Sequence, residues 1–501
     1  MHWFGVLMFF GLVLAEKSSC EDVSKPKIAI VGAGIGGASA SHYLTELLDG
    51  NLEIDIFEVD QIGGRLATVR VNDEEYEAGG SIIHSRNKYM KAFLELLGME
   101  ERPTSKGMRA GVWNGGEFVI TESNWKIVTL MKLFYRYGIQ PYKLHRLVNT
   151  IMDSFENIYR YQDEGVAYDN VHDLISAMSP EFPKLLQIST AEYLHSLGFS
   201  KEIINELVEA TLVVNYGQNT NVHSFVGCVS VAGAGADLWS VKGGNKEIPT
   251  HLIYRNSKVN LVPSQVREIR YFLNNDSLPQ YEISYNNAGS NNVMKNIYDI
   301  VVIATPLTED QKYQIKFTGF QKIESLQFPG NYQTTVATFI QGDLIPSHFG
   351  LDDPIDAILS CDPNKTELNS IGKLFPVNGS VGKDSRVWKV FSKHRLTSRQ
   401  ISSMFSNVGQ LREIPWKAYP KYSTSPRLDN FQLHDSLYHV NAIEWAASAM
   451  EMSAIGGRNV ALLIHKKLTF CCRESSEIDK QKCKYSCEEK TVRRNTQKSD
   501  L

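Results

Sequence analysis

A glycine-rich turn constrains the fold of this chain more than any other sequence feature. The apolar run Lys27–Val31 is followed by GAGIGG, in which Gly32, Gly34 and Gly37 occupy a G-x-G-x-x-G frame. A helical pattern comes next, and residues 54–58 (IDIFE) have the composition of a second strand. A strand, a glycine turn, a helix and a strand in this order predict a βαβ unit of a parallel, Rossmann-like sheet.

Each residue of the turn has a physical role in binding a dinucleotide. Gly32 permits the tight turn, Gly34 lets the backbone approach a pyrophosphate, and Gly37 permits close packing of the helix predicted over residues 36–48. The helix N-terminus around Gly36 offers unpaired N–H donors to the phosphates. Glu58 ends the second strand and is placed to accept hydrogen bonds from a ribose. These features together predict a dinucleotide site.

A second glycine cluster distinguishes between the possible dinucleotides. Gly63, Gly64 and Arg65 follow the ribose acid, and residues 76–84 (YEAGGSIIH) contain Gly80 and Ser81. This part of the sequence resembles the superfamily of flavin-dependent amine oxidases and phytoene desaturases. The resemblance implies that the Gly-Gly-Arg turn lies along the pyrophosphate of FAD, and that the segment with Gly80 approaches the flavin. FAD is therefore the expected cofactor.

Three later segments resemble the same superfamily. They contain Gly244 in a glycine doublet before a helix, Val266 just beyond a strand, and the pair Met450 and Glu451 before a final helix. The resemblance implies a main-chain contact of Val266 with adenine and a contact of the Met450 segment with the flavin.

The segment NYGQNTNVHSF, residues 215–225 with their flanks, narrows the resemblance to one family. From about Lys27 to Lys467 the chain resembles the prenylcysteine oxidases. Members of that family are lysosomal or secreted FAD enzymes that oxidise farnesylcysteine or geranylgeranylcysteine. The resemblance implies a small-molecule prenylcysteine substrate, with O₂ reduced to H₂O₂ and cysteine and a prenyl aldehyde as products.

Polar residues near the expected flavin are candidates for catalysis. Tyr216, Gln218 and His223 lie in the distinctive segment, and His84 follows the second glycine pair. A structural role is at least as common for a lone histidine as a catalytic one. No metal site is expected, because the cysteine spacing of the C-terminal tail does not suit zinc.

The pattern of helices and strands predicts an α/β fold with a discontinuous FAD-binding domain and a second, α+β substrate-binding domain. The predicted segments are 1–15 for a signal peptide, 27–105, 216–325 and 431–470 for the FAD-binding domain, 106–215 and 326–430 for the helical and sheet parts of the substrate domain, and 471–501 for a charged tail containing cysteines.

Apolar residues recur at helical spacing between residues 125 and 161. Ile127, Met131 and Phe134 share one helical face, and Pro141 separates the first helix of this region from a second. Packing of this face in a helical core is the prediction from periodicity. The aromatic residues of the same region could instead line an apolar slot for an isoprenoid chain.

The N-terminus and the composition indicate where the protein acts. Residues 4–15 are apolar and of signal-peptide length, and N-x-S/T acceptors occur at Asn275, Asn364 and Asn378. We therefore expect a lysosomal or secreted glycoprotein without a transmembrane segment. The net charge of −4 argues against nucleic acid as a partner. The substrate class leaves room for peripheral association with lipid or lipoprotein.

Two other functions remain open at this point. A flavin-dependent amine or polyamine oxidase would share the fold, but these enzymes carry a lysine near the flavin, and the corresponding residues 331–339 (NYQTTVATF) contain none. The other function is that of a flavoprotein without turnover that binds lipid. The glycine pattern predicts FAD binding in each case.

Overall fold

The strand that begins at Lys27 has parallel neighbours on both sides. In the computed structural model, Ile28 pairs with Ile54 on one side and with Ile300 on the other. The structure describes residues 25–473 except 104–107, 235–236, 288, 291, 322–325, 380–384 and 427.

The described residues form 23 strands and 14 α-helices. The strands are β1 (Lys27–Val31), β2 (Glu53–Glu58), β3 (Thr68–Val71), β4 (Glu74–Glu77), β5 (Ile83–His84), β6 (Glu101–Pro103), β7 (Ala110–Trp113), β8 (Phe118–Thr121), β9 (Leu238–Val241), β10 (Val259–Leu273), β11 (Pro279–Asn287), β12 (Met294–Tyr298), β13 (Ile300–Ile303), β14 (Lys316–Thr318), β15 (Tyr332–Gln341), β16 (Asp343–Leu344), β17 (Ala357–Ser360), β18 (Leu368–Leu374), β19 (Val387–Ser392), β20 (Phe405–Ser406), β21 (Leu411–Pro420), β22 (Gln432–His434) and β23 (Leu437–His439). The helices are α1 (Ile35–Leu47), α2 (Lys88–Leu96), α3 (Lys126–Tyr137), α4 (Gln140–Phe155), α5 (Asn157–Asp163), α6 (Val171–Met178), α7 (Phe182–Leu185), α8 (Thr190–Ser196), α9 (Lys201–Ile203), α10 (Glu209–Tyr216), α11 (Ser224–Ala232), α12 (Glu247–Tyr254), α13 (Ser398–Met404) and α14 (Met450–Arg473).

The first large sheet has nine strands and is built from three distant parts of the chain. Its order is β12-β11-β10-β2-β1-β13-β23-β22, with β14 paired to β10. The strands β2, β1, β13 and β23 run parallel to one another, whereas β22 pairs antiparallel with β23. The prediction of a Rossmann-like domain assembled from discontinuous segments is therefore confirmed.

The strand β10 joins the parallel and antiparallel parts of this sheet. Its first five residues, from Val259 to Pro263, run parallel to β2, and Pro263 pairs with Glu58. Its remaining length pairs antiparallel with β11, with an irregularity between Val266 and Glu268. The strand β10 therefore belongs to both parts of the sheet.

The second large sheet has seven strands in the order β21-β15-β19-β18-β17-β7-β8. Five of these strands follow residue 331, as the apolar runs in that region predict. The pair β7 and β8 comes from residues 110–121, a region in which the sequence analysis predicts helices. The strand β7 pairs in parallel with β17, and this pairing joins β7 and β8 to the rest of the sheet.

The small hairpin of β3 and β4 lies against the second sheet through an apolar cluster. Ala67 and Tyr76 belong to this cluster together with Ala337 and Phe339 of β15, and all four are buried. The hairpin directly follows the Gly-Gly-Arg turn. The cluster thus fixes that turn relative to the second sheet.

The break between the first two helices of this region lies at Gly138, before the position that the sequence analysis predicts. Gly138, with φ of +60°, ends α3, and Pro141 lies in the first turn of α4, where a proline is readily accommodated. Residues 190–216 do not form one continuous helix but contain α8, α9, a π-helical turn at Ile204–Val208 and α10.

The apolar face of α3 is exposed, so the prediction that it packs in a helical core is wrong. Ile127, Met131 and Phe134 are each about two-thirds exposed, at 66%, 65% and 64%. Tyr137, at the C-terminal end of the helix, is buried. Helical spacing identified the face correctly but could not identify its surroundings.

The residues Pro26–Lys467 form one compact unit. Among the described residues, no helix is long and apolar enough to cross a membrane. The predicted signal peptide lies outside the described residues, as do the side chains of the tail cysteines Cys471, Cys472, Cys483 and Cys487.

Candidate functional site

The N-terminus of α1 faces open space at Gly34. A methyl group added to Gly34 would meet a single described atom within 4 Å, the carbonyl oxygen of Gly63 at 3.8 Å. The helix has no side-chain cap and no acidic residue in its first turn. Uncapped N–H groups at a helix N-terminus attract an anion through hydrogen bonding and the helix dipole.

The second glycine turn lies directly against the first. The Gly63 N–H donates to the Ala33 carbonyl over 3.0 Å, and Gly34 and Gly63 form an isolated parallel bridge. Gly64 has φ of +58°, and a methyl group on it would meet only the Gly34 α-carbon, at 3.8 Å. Two backbone turns without side chains thus border the same space.

Other glycines of the fingerprint fix the shape of the turn. A methyl group on Gly37 would lie 2.0 Å from the Gly32 carbonyl oxygen, and one on Gly32 would lie 2.7 Å from the Ala304 carbonyl oxygen. Gly36 packs against Val440, whose Cγ1 would be 3.0 Å from the added methyl group. Gly32, Gly36 and Gly37 therefore serve packing, whereas Gly34 and Gly64 border the open space.

Glu58 lies beside this turn at the end of β2. One carboxylate oxygen accepts from the Ala33 N–H at 2.9 Å, and the other accepts from the Asp60 N–H at 3.0 Å. Burial raises the pKa of Glu58. Each oxygen keeps a lone pair for a second donor, so the carboxylate can also accept from a ribose hydroxyl.

These features fit FAD. The open glycine turns and the uncapped helix suit a pyrophosphate, and Glu58 suits a ribose. Val266 is buried in the cluster below the same sheet, three residues beyond the Pro263–Glu58 pair. Its main-chain contact with adenine stays a prediction.

The segment containing Gly80 and Ser81 is held in place by Asn245. The Asn245 amide donates to the Gly80 carbonyl at 2.9 Å, and the Asn245 N–H donates to the Glu77 carboxylate at 2.7 Å. Gly244, with φ of +106°, directly precedes Asn245. Through Asn245, the glycine doublet that ends at Gly244 therefore positions the Gly80 segment, which the resemblance places near the flavin.

Met450 and Glu451 begin α14 and play different parts. The Met450 Cε lies 4.0 Å from the point where a methyl group on Gly80 would stand, so Met450 reaches the Gly80 segment. The Glu451 carboxylate accepts from the N–H groups of Tyr89 and Met90, at 2.7 and 3.0 Å, at the start of α2. Burial raises the pKa of Glu451 to about 7. Its carboxylate thus caps a helix.

Arg65 forms a buried ion pair with Glu444. One guanidinium nitrogen donates to Glu444 Oε2 at 3.1 Å and to the Ala418 carbonyl at 2.9 Å, and the other nitrogen contacts Glu444 Oε1. Tyr332 also donates to Glu444 Oε2, at 2.8 Å. The guanidinium therefore connects the second glycine turn to the segment before α14, and its contact with FAD stays a prediction.

Tyr216 stands in an aromatic cluster beside that ion pair. Its ring centroid lies 4.9 Å from that of Tyr419 and 5.6 Å from that of Tyr422. The Tyr422 hydroxyl donates to the Glu444 carbonyl at 3.1 Å and accepts from the Ser448 N–H at 2.8 Å. Tyr216 and Tyr422 are buried, whereas Tyr419 is partly exposed.

Gln218 supports the same cluster through the main chain. Its amide nitrogen donates to the Pro420 carbonyl at 2.9 Å, and its amide oxygen accepts from the Tyr422 N–H at 2.8 Å. Both ends of the side chain are therefore engaged in holding the residues 420–422.

His223 is buried, and both ring nitrogens contact the main chain. Nδ1 accepts from the Val226 N–H at 3.3 Å and caps α11, and Nε2 lies 3.3 Å from the Trp445 carbonyl. These contacts fit the neutral tautomer with its proton on Nε2. Burial lowers the pKa of His223 to about 4. The geometry favours a structural part for this candidate.

The His223 ring predicts a loss of stability in acid. A folded pKa of about 4, below the unfolded value near 6.5, means that the stabilisation is complete above pH 6.5 and falls as the pH drops towards 4. Between pH 7 and pH 4.5 the wild type should lose about 2 kcal/mol more unfolding free energy than His223→Asn, a variant that keeps a capping side chain. Urea unfolding at both pH values measures this. Equal losses in the two proteins would contradict the assignment.

His84 is distant in sequence from the other catalytic candidates, which are Tyr216, Gln218 and His223, and it does not share their contacts. It belongs to β5, its ring Nδ1 accepts from the Arg86 N–H at 3.0 Å, and its own N–H donates to the Asn87 side chain at 2.8 Å. Burial lowers the pKa of His84. A role for His84 beside the flavin stays a prediction.

Two polar side chains near Gly217 were not identified from the sequence. A methyl group on Gly217 would lie 3.1 Å from the Thr335 hydroxyl and 3.2 Å from the Asn369 amide nitrogen. The Thr335 hydroxyl and the Asn369 amide oxygen are buried and have no hydrogen-bond partner among the described residues. Buried polar groups of this kind are available to a ligand or to water.

Sequence reasoning also missed Glu444 and Tyr332. Glu444 lies in LYHVNAIEW, the segment before α14. The acidic residue in this segment was the sequence signal from which Glu444 could have been identified. Tyr332 begins β15 and carried no signal, because its contact with Glu444 spans 112 residues.

Comparisons with known proteins agree with this geometry. The model of the prenylcysteine lyase family matches residues 120–480, and a model of the NAD(P)-binding Rossmann-like domain matches residues 30–97. Prenylcysteine oxidase 1 of Mus musculus is 38% identical over 483 residues, which cover 93% of this chain and 94% of the relative. Prenylcysteine oxidase 1 of Homo sapiens is 39% identical over 457 residues, covering 88% and 89%.

A solved structure shows the same fold at much lower identity. Putrescine oxidase bound to putrescine matches with a TM-score of 0.56 and 13% identity, covering 88% of this chain and 99% of that chain. The predicted α/β fold and the prediction of FAD as cofactor are confirmed by these matches together.

Proposed function

The chain belongs to the prenylcysteine lyase family, and on this basis we propose that it is an FAD-dependent thioether oxidase that cleaves S-prenyl cysteines. Its substrates would be farnesylcysteine and geranylgeranylcysteine. The observation that carries the proposal is similarity over nine-tenths of the chain to prenylcysteine oxidase 1, combined with open glycine turns that suit FAD.

The proposed reaction is balanced with O₂ and water. One S-prenyl cysteine, one O₂ and one water give one prenyl aldehyde, one cysteine and one H₂O₂. When bound, FAD supplies the acceptor for the two electrons and the hydrogen removed from the carbon between sulfur and the double bond, and O₂ takes these electrons afterwards. The sulfur and the allylic double bond both stabilise positive charge at that carbon.

The protein's own residues supply enclosure and orientation. The aromatic cluster, in which Tyr216 and Tyr422 are buried and Tyr419 is partly exposed, limits the access of water to the Arg65–Glu444 pair, and Gln218 holds the main chain of that cluster. The unpartnered groups of Thr335 and Asn369 are suited to the amino and carboxylate groups of the substrate.

Product analysis tests the reaction. Aerobic incubation of the holoprotein with farnesylcysteine should release cysteine, the aldehyde and H₂O₂ in equal amounts. Release of an amine oxidation product, with the thioether intact, would contradict the proposal.

We also propose that the protein enters the secretory pathway and acts in the lysosome or outside the cell. Asn275, Asn364 and Asn378 support this, because each is exposed in a turn where a glycan can project into water. We expect at least one of them to carry a glycan and the mature chain to begin after Ala15.

Mass spectrometry of protein from its own cells, before and after enzymatic removal of N-glycans, decides the question. An intact Met1 together with three unmodified asparagines would contradict the secretory route. Peripheral association with lipid belongs to the same proposal, because an isoprenoid chain partitions into lipid.

A further inference from the structure

The helix α3 presents its apolar face to solvent. Of the 19 large apolar side chains that are exposed among the described residues, nine lie between residues 125 and 142. They are Trp125, Ile127, Val128, Leu130, Met131, Phe134, Tyr135, Ile139 and Tyr142. A concentration of this kind on a protein surface marks an interaction site.

The exposed side chains form a continuous stripe. Ile127, Leu130, Met131 and Phe134 follow the spacing i, i+3, i+4, i+7, and each is about two-thirds exposed, between 64% and 66%. Thr129 and Leu133 are partly exposed and Tyr137 is buried, so α3 contacts the protein along this line of residues, which lies next to the stripe. The apolar stripe of this helix is therefore directed outwards.

Contacts with Glu206 hold α3 in this orientation. The Arg136 guanidinium makes two hydrogen bonds of 2.6 Å to the Glu206 carboxylate, and the Tyr137 hydroxyl donates to the same carboxylate at 2.7 Å. Rolling the helix to cover its stripe would break all three bonds. Glu206 itself lies in the π-helical turn before α10.

The surrounding charge is positive. Residues 124–152 contain five lysines and arginines and no aspartate or glutamate, in a chain whose net charge is −4. Lys126, which directly precedes the stripe, and Lys143, in the first turn of α4, are both exposed. Lys132 donates to the Thr121 carbonyl at 3.0 Å and so stays at the edge of the helix.

This combination indicates an anionic lipid surface. An apolar stripe with aromatic residues and flanking cations is the pattern of a helix that lies in a membrane interface. A second copy of the chain is a poorer occupant, because it would bring two basic segments together.

We propose that α3 and the first turn of α4 dock the protein on an anionic lipid surface, with the stripe from Ile127 to Phe134 inserted and Lys126 and Lys143 at the headgroups. This docking rests on the proposed function in one respect, which is that a substrate with an isoprenoid chain is found in lipid.

Vesicle sedimentation tests the docking with the full-length holoprotein. We expect binding to phosphatidylcholine vesicles that contain phosphatidylserine, and much weaker binding to phosphatidylcholine alone. Removing the charges in Lys126→Gln/Lys143→Gln should weaken binding to the anionic vesicles by roughly fivefold for each lysine.

A pair of matched variants tests the apolar stripe. Leu130→Asp/Met131→Asp should reduce binding to anionic vesicles by at least roughly tenfold, because two charged side chains must then enter the interface. The control Val293→Asp/Ile297→Asp changes two exposed side chains, at 59% and 48%, of which Val293 directly precedes β12 and Ile297 lies within it. It should bind as the wild type does.

Three outcomes would overturn the docking. They are wild-type protein that binds neither kind of vesicle, an α3 variant that binds as tightly as the wild type, and a wild-type dimer in solution that Leu130→Asp/Met131→Asp dissociates. Turnover of detergent-dissolved farnesylcysteine by the same variants should equal that of the wild type. Inactive wild-type protein that still binds vesicles would refute the proposed function and leave the docking intact.

Discussion

Gly34→Val is expected to give a folded protein without flavin. A methyl group at Gly34 meets no described atom closer than 3.8 Å, and its φ of −74° suits any residue, so the fold tolerates a side chain there. The same side chain occupies the space in which the pyrophosphate approaches the backbone. We expect flavin content below roughly a tenth of the wild-type value, measured as flavin absorbance relative to protein.

The control for Gly34→Val is Gly37→Ala. A methyl group at Gly37 would lie 2.0 Å from the Gly32 carbonyl oxygen, so the backbone of the turn must shift. This variant should lose both flavin and native circular dichroism, whereas Gly34→Val should retain its circular dichroism. A Gly34→Val protein with a full flavin spectrum would contradict the placement of the pyrophosphate.

Glu444→Gln should destabilise the protein strongly. Glu444 is buried, and its replacement leaves the partly buried Arg65 without its negative partner. Loss of one member of a buried pair costs about 3 to 5 kcal/mol, and the 31% exposure of Arg65 reduces this to about 2 to 4 kcal/mol of unfolding free energy. Urea unfolding of the holoprotein gives the value.

Two further variants make this result specific to the buried pair. Asp343→Asn breaks the exposed pair of Arg386 and Asp343 and should cost less than about 1 kcal/mol. Arg65→Met/Glu444→Gln removes both charges and should recover part of the loss. A double variant as unstable as Glu444→Gln, or a single variant as stable as the wild type, would refute the role of the pair.

The dinucleotide-binding part of the fold was predictable because its determinants are local. Gly32, Gly34 and Gly37 lie within six residues, and Glu58 follows after one helix and one strand. Backbone geometry and helix packing require those glycines wherever the motif occurs. The discontinuous assembly followed from the resemblance of the later segments to the same superfamily.

The surroundings of α3 were not predictable in the same way. Helical periodicity places Ile127, Leu130, Met131 and Phe134 on one face, but it carries no information about what that face contacts. In the structure, the pairing of Arg136 and Tyr137 with Glu206 fixes the orientation. Glu206 is 70 residues away from Arg136 in the sequence.

Long-range contacts also explain why parts of the site were missed. Arg65 was identified from its glycine doublet, but its partner Glu444 is 379 residues away. Thr335 lies in β15 and Asn369 in β18, which are separated by β19 in the second sheet, and only the folding of α10 brings Gly217 to them. Single-sequence patterns report residue type and local spacing, and they do not report which distant residues meet.

Anaerobic mixing of the holoprotein with chosen donors tests the central claim most directly. The donors are farnesylcysteine, its analogue without the allylic double bond, and spermine, and the measured quantity is the flavin absorbance. The account predicts rapid bleaching by farnesylcysteine with recovery in air, slow bleaching by the saturated analogue because the developing cation loses its conjugation, and no response to spermine. Rapid bleaching by spermine without a response to farnesylcysteine would contradict a prenylcysteine oxidase and indicate a polyamine oxidase, and a flavin that responds to none of the three would indicate a flavoprotein without turnover.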